Sequence, residues 1–207
     1  ELEVATSAED GEWDVRIVAR RRSTVVARVP APSPGWTALQ PVEGTGSVEE
    51  PVEVGADGLD NGLLSVAVAA DGTLSLGGVH GAGRLGDGGD AGDSYNYAPP
   101  ADDRLVEEPD DVRVSVIAEG PVRGRVSIVR SYEWSPAQVP VEVETTVDLR
   151  AGERFCRVRV SFENPLSDHR RRFHVPPQRE ARFSAAEGQF AVVERALEAE
   201  EGFGEVA

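Results

Sequence analysis

Residues 139–149 and 154–162, VPVEVETTVDL and RFCRVRVSF, alternate apolar and polar side chains along almost their whole length. Successive side chains of an extended strand point to opposite faces, so each run carries one apolar and one polar face. With Ala151 and Gly152 as the connecting loop, Val141 is expected opposite Phe162, Val143 opposite Val160 and Val147 opposite Cys156. On the other face Glu144 would meet Arg159 and Thr146 would meet Arg157. A slip of one residue would drive every arginine of the second run into the core, so the parity of the pairing is well specified. Exposed strand-face ion pairs of this kind contribute well under ~1 kcal/mol each, and these Arg and Glu residues read as cross-strand partners rather than ligand binders.

The same period recurs along the chain. WDVRIVA (13–19) and STVVARV (23–29) are expected strands. LLSVAVAADGTLSL (63–76) reads as a hairpin turning at Asp71 and Gly72. VRVSVIA (112–118) and VRGRVSIV (122–129) flank Glu119, Gly120 and Pro121, a three-residue loop that would set Val114 opposite Val126 and Val112 opposite Ile128. PAPSPGW, with three prolines and a glycine, forbids regular structure. The acidic stretch 45–58 reads as a linker and 77–109 as a long loop. Only the tail 190–202 could be helical, and its first half still reads as a strand.

Strands of this length with hairpin turns and no βαβ spacing predict an all-β chain, an antiparallel β-sandwich large enough to bury a sizeable core. The expected division is a small β region over 1–55 and a large sandwich over 56–207.

The formal net charge of −16 makes nucleic acid and anionic membrane poor partners, and every one of the 21 basic residues is Arg. Cys156 is the only cysteine, which rules out an internal disulfide or a cysteine-based zinc cluster, and its apolar strand position reads as a buried structural thiol. No apolar run approaches ~20 residues and nothing resembles a signal peptide, so no membrane span and a cytoplasmic location are expected. The chain contains no Met and is expected to be a piece of a longer polypeptide.

The candidate site is DGGDAGDSYNYAPP, residues 87–100. Asp87, Asp90 and Asp93 fall at positions 1, 4 and 7 of that run, whereas a helix-flanked calcium loop wants oxygens at about 1, 3, 5 and 12. The histidines His80, His169 and His174 are dispersed, and the spacing of five between the last two puts them on opposite faces of a strand. No GxSxG nucleophile elbow occurs, and no carboxylate pair can be named for glycoside hydrolysis. In Ser94-Tyr95-Asn96-Tyr97 the two rings would share a face if extended, offering stacking area and hydroxyls suited to a sugar. The alternative is a loop tyrosine that merely closes the end of the sandwich.

Four blocks, NGLLSVAVAADGTLSL, GGDAGDSYNYAPP, EGPVRGRVSI and VEVETTVDLRAGERFCRVRVSFENPLSDHRRRFHV, resemble in order and spacing the β-sandwich portion of α-mannosidases of glycoside hydrolase family 38, over about residues 60–195. The bacterial mannosylglycerate-hydrolase branch is the most similar. The resemblance implies a galactose-mutarotase-like supersandwich, incomplete here, with the zinc, the nucleophile and the acid/base on a catalytic domain of the same polypeptide. It implies no catalytic residue and no metal in this chain, and no activity of the fragment alone. One role carries over: a loop tyrosine that hydrogen-bonds the sugar of a mannose-containing glycan or glycoside matches Tyr95. Tyr97 is the alternative two residues on, and Asp93 is the neighbouring candidate contact. In SDHR (167–170), Asp168 and Arg170 are expected to fix a strand end as a charge-assisted pair. The rival to a hydrolase part is a free-standing carbohydrate-binding or structural β-sandwich module.

Overall fold

A computed structural model describes residues 24–30, 34–40, 46–93, 97–134, 139–177 and 179–196 of the chain. These residues form strands and no helix. In chain order the strands are β1 (Glu53–Gly55), β2 (Gly58–Asp60), β3 (Ser65–Val68), β4 (Leu74–Leu76), β5 (Val79–Ala82) and β6 (Arg84–Gly89). They continue with β7 (Asp111–Ala118), β8 (Arg123–Trp134), β9 (Val139–Arg150), β10 (Arg157–Phe162), β11 (His169–His174), β12 (Phe183–Gly188) and β13 (Ala191–Ala196). β1 to β5 form one antiparallel sheet in sequence order, and β10-β9-β8-β7 form a second. β6 pairs with β11, and β12 with β13.

The two larger sheets face each other because β8 and β9 each alternate for 12 residues. The inner row of β8 is Gly124, Val126, Ile128, Arg130, Tyr132 and Trp134, opposite Leu149, Val147, Thr145, Val143, Val141 and Val139 of β9. The first half of this row packs on Val52, Leu59, Val66, Leu74 and Ala82, which brings the five-stranded sheet over it. The second half, from Tyr132 and Trp134, packs instead on Leu85, Val106 and Leu166, beneath the β6–β11 ribbon. The predicted sandwich is thus present, with one long sheet covered by two different partners.

Arg130 marks the handover between them. It is only 1% exposed, and its guanidinium donates to the Gly83 carbonyl at 2.8 Å and to Thr145 Oγ1 at 2.9 Å. A buried cation needs such partners. Gly83 has a φ of 83°, a left-handed conformation that lets the chain turn out of β5 directly into β6.

Both long hairpins keep the predicted parity but shift register by two. Val143 pairs with Phe162 and Val147 with Val158, and Thr146, not Glu144, meets Arg159. The connection is longer than two residues because Asn61 Nδ2 donates to the carbonyls of Arg150 and Glu153, both at 2.8 Å, and holds a wide turn. Cys156 consequently precedes β10, half-buried against the core, where burial raises its thiol pKa. In the other hairpin Val114 pairs with Ile128 and Val112 with Arg130. Its turn is widened by Val52 N–H donating to the Pro121 carbonyl and Ala151 N–H donating to that of Val122.

Three further expectations are corrected. The acidic linker 45–58 ends in β1, and the long loop 77–109 contains β5 and β6. Residues 24–30 carry no strand, with Val25 and Val26 exposed, while 13–19 lies outside the described residues. The tail's first half is strand β13, as expected.

On the outer face of the long sheet, Asp148 sits among Arg123, Arg125 and Arg150. Its burial alone would raise its pKa, but the hydrogen bond from Arg123 and the flanking positive charges outweigh this and hold it below the ordinary 3.8. A lowered carboxylate pKa contributes stability that is present above the unfolded value and lost as pH falls through the folded one. Asp148→Asn is therefore expected to cost about 1–3 kcal/mol at neutral pH. The difference from the unmodified chain should shrink as pH drops below 3.8, as urea unfolding at several pH values will show.

Candidate functional site

The β6–β11 ribbon explains the glycines of the 87–100 motif. β11 lies on one edge of β6, with Arg171 opposite Asp87, Arg170 opposite Gly88 and Arg172 opposite Gly86. On the other edge Asp87 and Val106 exchange both backbone hydrogen bonds at 2.9 Å. The chain that returns from the loop lies down on the outer face of β6. A Cβ on Gly89 would stand 2.5 Å from Pro100 Cγ, and one on Gly88 would stand 3.2 Å from an Asp103 oxygen. The absence of side chains at Gly88 and Gly89 is what lets that segment approach.

Alternation along β6 and β11 sends Asp87, His169 and Arg171 inward. Asp87 is 2% exposed and meets His169 Nδ1 at 2.8 Å through Oδ2. Its other oxygen lies 3.2 Å from Arg171 Nε, an ion-pair approach without hydrogen-bond geometry. The Arg171 guanidinium stacks 4.2 Å from the Trp134 ring centroid, with Phe162 5.4 Å away. Burial raises the Asp87 carboxyl pKa, and the bonds and charges of His169 and Arg171 only partly oppose it. Burial likewise lowers that of Arg171. The cluster ties β6 and β11 to the apolar floor supplied by β8 and β10.

The loop beyond β6 is closed on itself. Asp90 Oδ1 accepts from Gly92 N–H at 2.9 Å and Ala98 N–H at 3.1 Å, and Ala91 N–H donates to the Ala98 carbonyl at 2.8 Å. Asp90 N–H donates to the Asp168 carbonyl at 2.8 Å, which anchors the loop to the start of β11. Asp168 has a φ of 58°, the left-handed turn by which the chain enters that strand.

Asp87 and Asp90 thus serve the fold, while Asp93 is exposed. Among the described residues no three His, Cys, Asp or Glu side chains cluster to hold a metal ion. His169 and His174 fall at opposite ends and on opposite faces of β11. The described residues therefore do not fit a zinc site. Tyr97 is half-buried, with the Arg170 guanidinium 4.2 Å from its ring centroid. Tyr95 lies outside the described residues.

The sequence singled out SDHR for a pair between Asp168 and Arg170. In the structure the Asp168 carbonyl accepts from Asp90 N–H, its carboxylate accepts from Ser167 Oγ at 3.2 Å, and Arg170 lies on Tyr97. The buried Asp87, His169 and Arg171 cluster was missed, although the inward alternation of His169 and Arg171 was a signal that could have found it.

No family model matches the chain, and no curated protein matches it. Solved structures do. A protein in glycosyl hydrolase family 38 from Enterococcus faecalis matches with a TM-score of 0.63 and 18% identity over 73% of this chain. An α-mannosidase from Enterococcus faecalis V583 matches with a TM-score of 0.60 and 16% identity over 77% of this chain. What is shared is the fold. The chain spans 22% and 21% of the length of those two proteins, so it resembles one part of each. No helix among the described residues is long and apolar enough to cross a membrane.

Proposed function

We propose that this chain is the non-catalytic β-sandwich part of a family 38-like α-mannosidase, a retaining glycoside hydrolase. It braces the catalytic domain of the same polypeptide and lends a tyrosine of the 87–100 loop to a mannose-containing glycan or glycoside. The proposed division is a small β region over 1–55 and the sandwich over 56–207, and a cytoplasmic location is part of the reading. The zinc implied by the resemblance would be held by the other domain. The preference for the mannosylglycerate-hydrolase branch rests on the sequence blocks alone.

The observation that carries the reading is the fold likeness to two longer family 38 proteins, combined with the sequence blocks in the same order. The anchoring of the loop supports it further, since a residue that reaches across to another domain must be presented from a fixed base.

The test is turnover of an aryl α-mannoside by the longer polypeptide and its Tyr95→Phe variant. Loss of one sugar hydrogen bond is expected to lower kcat/KM by about tenfold. Unchanged kcat/KM would remove Tyr95 from the site, and no turnover by the parent under any metal condition would refute the hydrolase reading. Calorimetry on the isolated 207 residues separates the rival: clear sugar binding there would favour an autonomous carbohydrate-binding module.

A further inference from the structure

Beyond the β6–β11 ladder, described residues of the loop reach β11 and its start at Asp90 and at Tyr97. Asp90 N–H bonds the Asp168 carbonyl at 2.8 Å, and Arg170 lies 4.2 Å from the centroid of the Tyr97 ring. Arg170 stands opposite Gly88 in the β6–β11 register, next to the point where the chain leaves β6 for the loop. Below this layer, Asp87, His169 and Arg171 lock the same strand to the core. One strand therefore carries both the lock to the core and the hold on the loop, on alternate residues.

From this arrangement we infer that Arg170 is a positioning residue that clamps the 87–100 loop through Tyr97, making Tyr97 the loop's anchor. A guanidinium against a phenol ring uses the ring quadrupole and a planar stack, both independent of the hydroxyl. Tyr97→Phe should therefore keep the clamp, and Tyr97→Leu should lose it. The hold also restricts the loop before any ligand arrives, which lowers the ordering cost of binding.

The inference rests on the proposed function only for its consequence at a sugar site; the clamp is tested without any substrate. Hydrogen exchange of the 207-residue chain is compared for Arg170→Ala, Arg170→Lys, Tyr97→Leu and Tyr97→Phe. Arg170→Ala and Tyr97→Leu are expected to speed exchange of residues 90–100 by roughly 3- to 10-fold, with the β3–β4 hairpin unchanged. Arg170→Lys should restore part of the protection and Tyr97→Phe nearly all of it.

Unchanged loop exchange in Arg170→Ala would overturn the inference. So would a rise spread equally over the whole chain, which would mark Arg170 as a general stabiliser. If the longer enzyme proves active, Arg170→Ala should raise KM for the aryl α-mannoside several-fold with kcat less affected. If it proves inactive, the hydrolase reading fails while loop exchange still decides the clamp.

Discussion

Asp87→Ala is expected to lower the unfolding free energy by about 3–5 kcal/mol, because it strips a buried cation of its carboxylate. Asp87 is 2% exposed and touches both His169 and Arg171. Removing it leaves the His169 imidazole without its partner and the Arg171 guanidinium facing an apolar wall of Trp134 and Phe162. The expected loss is not the worth of the ion pair. Replacing both partners, as in Asp87→Leu with Arg171→Met, should cost far less than Asp87→Ala alone, since no unpaired charge remains. Chemical denaturation of the single and double variants checks this, and a single-variant cost below about 1 kcal/mol would show that the cluster does not tie the ribbon down.

The same carboxylate acts in the opposite sense to Asp148 as pH changes. Its folded pKa is raised by burial, so the stability it contributes is full below the ordinary value of 3.8 and declines as pH rises through the folded value. Asp87→Asn should remove that declining component while keeping a hydrogen-bond partner for His169.

How much of this could be read from the sequence follows from what each feature depends on. Parity was legible because period-two alternation in β8, β9 and β10 has one solution that keeps the arginines of β10 outside. Register was not, because the turns are sized by distant groups. Asn61 holds the β9–β10 turn, and Val52 and Ala151 hold the β7–β8 turn. β6 was read as loop because Arg84–Gly89 is half glycine, and its partner strand lies about eighty residues on. The aspartates of the same stretch drew attention as possible ligands through their spacing. Burial assigns Asp87 to the core and hydrogen bonding assigns Asp90 to the loop closure. Tyr97 stood out by its place in the loop, but the residue that contacts it, Arg170, could be found only once β11 was set beside β6.

Trp134→Ala should rival Asp87→Ala in size and differ from it in where the damage falls. The Trp134 ring, 3% exposed, meets Tyr132 at 6.2 Å, the edge of Phe162 at 5.7 Å and the Arg171 guanidinium at 4.2 Å. It thus joins β8 to both β10 and β11. Truncation to Ala at such a site costs about 3–5 kcal/mol through lost burial and an unfilled cavity. The other half of the core, built on Val126, Ile128, Val147 and Leu149, keeps all its contacts with the five-stranded sheet. Hydrogen exchange should therefore rise most in β6, β11 and the 90–100 loop and least in β3 and β4. Trp134→Phe keeps an aromatic face for Arg171 and should cost roughly half as much. Equal loss of protection over both sheets would refute the division of the core at Arg130. A loss confined to the ribbon would show that the loop beyond β6 is held through Trp134.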